Sequence, residues 1–120
     1  MKIADLVNPN YKVYVYLRTK EVQEQFLRDA GEEGFHFGDG VDLLLKPLEN
    51  LIAIYPDKRL AYTGVIGHMA FRHPEDNIPP LIRVDYEKFI SGADDYILKE
   101  TPPSFGEAGF LSGSFPEAQF

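Results

Sequence analysis

The sequence predicts an α+β domain with a mainly antiparallel sheet, and three observations carry that expectation. Residues 11–30 pass from two-residue alternation to helical periodicity. Two β-prone runs flank Pro56-Asp57-Lys58-Arg59 in the manner of a hairpin. Residues 81–92 read as a strand leading straight into a capped helix that Gly92 closes. The expected architecture is one principal helix covering the sheet, a shorter C-terminal helix and an extended tail.

Composition fixes the frame for these elements. A chain of 120 residues with 44% hydrophobic and 26% charged residues fits one compact domain. At this length no metal or disulfide staple is needed, and the expected radius of gyration is about 13 to 14 Å. The absence of cysteine removes disulfides, thiolate zinc sites, iron-sulfur clusters and cysteine nucleophiles together. A net charge of -7 disfavours unspecific attraction to nucleic acid or anionic lipid. Met1 to Leu6 carry charge early and lack the apolar core of a targeting signal, and no apolar run is long enough to span a bilayer. The expectation is therefore a soluble, cytoplasmic protein that binds neither nucleic acid nor membrane directly.

Taken in order, residues 1–10 read as a short helix or turn ended by Asn8-Pro9-Asn10. A single domain is expected over 11–100, followed by a tail over 101–120. Tyr11, Val13, Val15 and Leu17 alternate with Lys12, Tyr14, Tyr16 and Arg18, the pattern of a half-buried strand. Thr19 caps a helix over about 20–30 whose apolar residues are Val22, Phe26, Leu27 and Ala30. Phe35-His36-Phe37 follows as a short strand, then a turn at Gly38-Asp39-Gly40. Residues 41–48 are ambiguous, since a short alternating run meets Pro47. Leu51 to Tyr55 and Leu60 to Gly64 form the hairpin, and 65–71 continue as a bent strand with a bulge at Gly67 or as a short helix. Residues 73–80 hold three prolines and read as a surface loop. Asp85 caps a helix over 86–91. The tail mixes Pro and Gly with Phe105, Phe110, Leu111, Phe115 and Phe120, which read as anchors for this domain or a neighbouring copy.

The polar clusters carry no recognisable catalytic or metal-binding pattern. His68, His73, Glu75 and Asp76 match no zinc spacing, and the Asp39 turn lacks a calcium loop's alternating acids and closing Glu. The serines occupy no nucleophile elbow, and the glycines form no phosphate-binding loop. No catalytic residue, metal or cofactor is assigned, and the chain is expected not to be an enzyme. The polar side of the first strand is more informative. Tyr14, Tyr16 and Arg18 would project together as flat rings beside a guanidinium, a surface that stacks a base and meets a phosphate. The plainer reading of the same pattern has a helix or second subunit cover the face. Arg59, Tyr62, His68, Phe71 and Arg72 make a second aromatic-basic group around the hairpin. The ligand-binding residues expected on this basis are Tyr14, Tyr16, Arg18, Tyr62, His68 and Arg72. Acidic clusters at Asp29, Glu32, Glu33 and at Asp94, Asp95, Glu100 read as a solvated face, or as a phosphate mimic that blocks a basic groove in a partner protein.

The segments over 11–21, 26–30, 34–40, 67–71 and 83–92, from Tyr11-Lys12-Val13-Tyr14 to Phe89-Ile90-Ser91-Gly92, resemble small proteins carried by phages and mobile elements of Firmicutes. The similarity covers about residues 11 to 99. Small phage proteins with a strand-helix-strand start include sponges that sequester nucleotide signals of defence systems such as Thoeris. By that analogy the resemblance implies a non-enzymatic trap for a small nucleotide-derived ligand, countering host defence as a homo-oligomer. No binding residue is carried over from it. The alternative partner is a host nucleic-acid-binding defence complex, inhibited through the chain's carboxylates in the manner of an anti-CRISPR.

Overall fold

Strict alternation makes the first strand two-faced, and the rest of the fold is arranged around that fact. β1 (Lys12–Tyr16) sends Val13 and Val15 to one side and Tyr14 and Tyr16 to the other, as the two-residue period requires. The computed structural model describes residues 2–74 and 80–99. Within them β1 runs into α1 (Lys20–Glu32), followed by β2 (His36–Phe37), the hairpin β3 (Leu51–Ile54) and β4 (Arg59–Tyr62), α2 (Gly64–Arg72), β5 (Leu81–Asp85) and α3 (Tyr86–Ser91). Short 3-10 turns lie at Ile3–Asp5 and Leu43–Leu45. The radius of gyration is 13.8 Å.

The fold is α+β, with a five-stranded sheet in the order β2-β4-β3-β1-β5. Its centre is antiparallel, β1 against β3 and β3 against β4, while β5 and β2 join the outer edges in parallel. Residues 96–98 add an antiparallel contact beyond β5, through the bridge of Val84 with Ile97.

One side of the sheet carries the main core. Val22, Phe26, Leu27 and Ala30 of α1 recur at helical spacing and meet Val13, Val15, Ile52, Ile54 and Leu60, all buried. The Thr19 hydroxyl accepts from Val22 N at 3.2 Å and starts α1 as its spacing predicts. α3 adds Tyr86 and Phe89, begins at Asp85, whose carboxylate accepts from Lys88 N, and stops at left-handed Gly92. The domain starts earlier than residue 11. Ile3 and Leu6 are buried in the main core, and Glu33 holds their turn by accepting from Ile3 N and Ala4 N at 2.8 and 3.1 Å. The short helix or turn expected here is present, but its docking depends on Glu33, distant in sequence.

The other side of the sheet has its own helix. Residues 65–71 take the helical one of the two expected alternatives, so there is no bulge at Gly67, which lies in α2 where a Cβ would stand 2.0 Å from Thr63 Cβ. Gly67 and Phe71 are the buried residues of α2, and Phe71 packs on Tyr16 with ring centroids 5.8 Å apart. Tyr16, Leu51 and Phe71 form a second small core. Among the described residues no helix is long and apolar enough to cross a membrane. The expected tail over 101–120 and most of the expected proline loop lie outside the described residues.

Candidate functional site

The strand register decides which of the expected ligand residues share a surface. Tyr14 stands opposite Ala53 on β3 and beside Arg83 on β5, and Ala53 pairs in turn with Ala61 on β4. Residues paired this way point to one face. Tyr14 and Tyr16 are therefore on the α2 side as expected, but their environments differ. Tyr16 is 1% exposed beneath Phe71, so it is a core residue and offers no surface to a ligand. This corrects its expected role: its face is covered at that end by α2, the plainer of the two sequence readings. Tyr14 is half-buried at the edge of the covered zone.

Arg18 lies beyond the end of β1 and turns to α3, where its guanidinium donates to the Glu87 carboxylate. It does not join Tyr14 and Tyr16, because strand alternation ends with the strand. Tyr62 is on the opposite side of the sheet, with its ring 4.9 Å from Phe37 and its hydroxyl donating to Pro47 O at 2.7 Å. Lys46 Nζ sits 4.7 Å from the Phe37 centroid and 2.5 Å from Asp39, so Tyr62 belongs to a clasp that fastens residues 43–48. His68 bridges Gly64 O and Asn50 Oδ1 at 2.8 and 3.1 Å, bracing α2 against the start of β3. Arg72 closes α2 on the Tyr14 side. The six expected residues thus divide among four places.

What the fold does gather is a different set around Tyr14. Tyr55 follows Ile54 and falls on the Tyr14 side of the sheet, and Arg59 leads β4 on that side. The Arg59 guanidinium lies 4.5 Å from the centroid of the Tyr55 ring, a cation-π arrangement. Tyr55 is the diagonal neighbour of Tyr14 in the strand register, and the Tyr14 hydroxyl is held above the usual phenol range, chiefly by burial and then by Tyr55. His36 pairs with Arg59 across β2 and β4 and is exposed, and Lys12 is exposed two residues before Tyr14. Ala53 and Ala61 place only methyl groups between the strands that bear these side chains. The surface joins two phenol rings to cationic groups, with Ala53 already buried beneath them. Asp57, in the hairpin turn, reaches Arg59 Nε at 3.9 Å, and both are exposed enough that this pair contributes under about 1 kcal/mol.

Sequence reading placed Arg59 in an aromatic-basic group but missed Tyr55. Both lie at strand ends, and only the exact pairing of Tyr14 with Ala53 brings them to Tyr14.

The acidic residues are arranged otherwise. Asp29 accepts from Tyr86 Oη at 2.5 Å and Gln25 Nε2 at 2.7 Å, Glu33 holds the N-terminal turn, and Asp95 pairs with Lys88 at 2.9 Å. Burial, then the Asp29 bond, raises the Tyr86 hydroxyl far above the phenol range. Hydrogen bonds from lysine hold Asp39 and Asp95 below the usual carboxylate range. Among the described residues no group of three or more His, Cys, Asp or Glu side chains is placed to hold a metal ion, and Glu75, Asp76 and Glu100 lie outside them. In comparisons with known proteins, no family model matches this chain, and no curated protein or solved structure matches it either.

Proposed function

We propose that this chain is a non-enzymatic phage or prophage accessory protein that counters host defence by sequestering a nucleotide-derived signal in the host cytoplasm. The ligand lies on the sheet face built from Tyr14, Tyr55 and Arg59. The observation that carries the reading is the Arg59 guanidinium over Tyr55 beside Tyr14, with Lys12 and His36 on the same side. A base stacks on the phenol rings while the guanidinium and ammonium meet phosphate. This keeps the aromatic-basic character expected from β1 and moves it one strand pair along the sheet. His68 and Arg72 stand on the same side, on α2, and Tyr16 supports the face from beneath that helix.

The alternative, carboxylates inserted into a basic groove of a host protein, gains less from the structure, because Asp29 and Glu33 serve internal bonds. Thermal shifts with cyclic dinucleotides, cyclic trinucleotides and cyclic ADP-ribose derivatives test the proposal. A true ligand at one hundred times its dissociation constant adds about 2.7 kcal/mol. A melting point unmoved by every member of that panel refutes it. The resemblance also implies a homo-oligomer, and light scattering on the same samples reads the assembly directly.

A further inference from the structure

The strand register lines up one row of side chains across the sheet. Lys12 pairs with Leu81 on β5, and His36 pairs with Arg59 across β2 and β4. One step beyond the pairs Val13 with Ile54 and Ile54 with Leu60, Tyr55 falls between Lys12 and Arg59, and its N–H donates to Arg59 O at 3.0 Å. The row therefore reads His36, Arg59, Tyr55, Lys12, Leu81, at the end of the face away from Tyr16 and Phe71. With neighbouring strands about 4.8 Å apart, Arg59 and Lys12 stand roughly 10 Å from each other at the backbone, one on each side of Tyr55. Both are exposed. The Arg59 guanidinium is held over the Tyr55 ring, 4.5 Å from its centroid, and Asp57 stands 3.9 Å from Arg59 Nε, longer than a hydrogen bond.

We infer that this row selects, among nucleotide-derived ligands, those whose phosphates are separated by a sugar, with one phosphate on Arg59 and the other on Lys12 across the Tyr55 ring. The inference rests on the nucleotide reading and narrows it. A single phosphate on Arg59 leaves Lys12 unmatched. Two phosphates that share an oxygen, as in a diphosphate linkage, are kept together on one side of Tyr55. Phosphodiesters set apart by ribose, as in a cyclic dinucleotide, straddle the ring and leave a base free to lie on Tyr14, the diagonal neighbour of Tyr55. Arg59 meets its phosphate through a planar fork of donors, and Lys12 meets the second as a point charge. Lys12 is on this account the residue that sets specificity, because it alone stands on the β1 side of the ring.

Titration calorimetry of the full chain at one salt concentration, with cyclic di-AMP, cyclic ADP-ribose and cyclic AMP, tests the spacing. The first two carry equal negative charge and the same base, so a difference between them reads the separation of the phosphates and not their number. Cyclic di-AMP should bind about tenfold or more tightly than either of the others, the value of one charge-assisted hydrogen bond. Lys12→Gln, at an exposed position that leaves the fold intact, should bring cyclic di-AMP down to the level of cyclic ADP-ribose, whereas Arg59→Gln should weaken every compound that binds. Cyclic ADP-ribose or cyclic AMP bound as tightly as cyclic di-AMP overturns this inference and leaves the nucleotide trap standing, as does a preference that survives Lys12→Gln. Binding of none of the three also overturns it, and the trap reading falls with it only if the cyclic trinucleotides fail as well.

Discussion

Two tyrosines separated by one residue show how far an environment decides a side chain's work. Tyr16 is sealed under Phe71 and Tyr14 is half open beside Tyr55. Tyr16→Ala should therefore cost about 3 to 5 kcal/mol, the range for emptying a buried aromatic site, a large share of the roughly 5 to 15 kcal/mol that holds a domain together. Tyr14→Ala should cost only about 1 kcal/mol in stability but about 1 to 3 kcal/mol in binding a base. Urea denaturation and ligand titration of both variants separate these effects; equal stability losses would contradict the assignment. Tyr86 gives a second test. Its folded-state pKa is raised from 10.0, so its contribution is fully present below pH 10 and is lost as the pH rises beyond it. Wild-type stability should fall in strong alkali, and Tyr86→Phe should flatten that fall while costing about 1 to 3 kcal/mol at neutral pH by leaving Asp29 without the phenol. A variant with the wild-type alkaline profile would show that the Tyr86–Asp29 bond does not couple to folding.

Among the elements, β1, α1, the hairpin, β5 and α3 were legible because each carries its own signal within a few residues. Thr19 and Asp85 cap, Gly92 stops, and the apolar period changes where the structure changes. α2 was ambiguous for a physical reason. Val65 to Phe71 holds apolar residues on every side of a helix, and Gly67 weakens a helical reading although its missing Cβ is what admits Thr63. Gly67→Ala should cost about 1 to 3 kcal/mol through that overlap, and adding Thr63→Gly should give a loss smaller than the two single losses combined. Thermal melts of the three variants check this. A wild-type melting point for Gly67→Ala would contradict the close approach. The short β2 and the turn at Ile3–Asp5 were legible as elements, but not where they dock, because their place is fixed by Leu60 and Glu33, which are distant in sequence.

Across the whole molecule, net charge conceals an asymmetry. α1 carries Glu21, Glu24, Asp29 and Glu32 against Lys20 and Arg28, while the opposite side of the sheet carries Lys12, Arg59 and His36 around Tyr14. No sum over the sequence separates these, since the separation depends on strand pairing. What the sequence pattern carried was sidedness only: Tyr14, Tyr16, His68 and Arg72 share the α2 side of the sheet, whereas Tyr62 and Arg18 were placed elsewhere by register and by the end of a strand. Binding at the basic face should weaken as salt rises from about 50 to 200 mM, because screening shortens from roughly 14 to 7 Å. Titration calorimetry at the two salt concentrations reads this, and affinity indifferent to salt would exclude phosphate contact at Arg59. The most direct test is an amide NMR titration of the full chain with the cyclic nucleotide and cyclic ADP-ribose panel. The account predicts saturable shifts centred on Tyr14, Tyr55 and Arg59 that disappear in Tyr14→Ala/Arg59→Ala. Spectra unchanged by every compound, or shifts confined to the α1 side of the sheet, would contradict it.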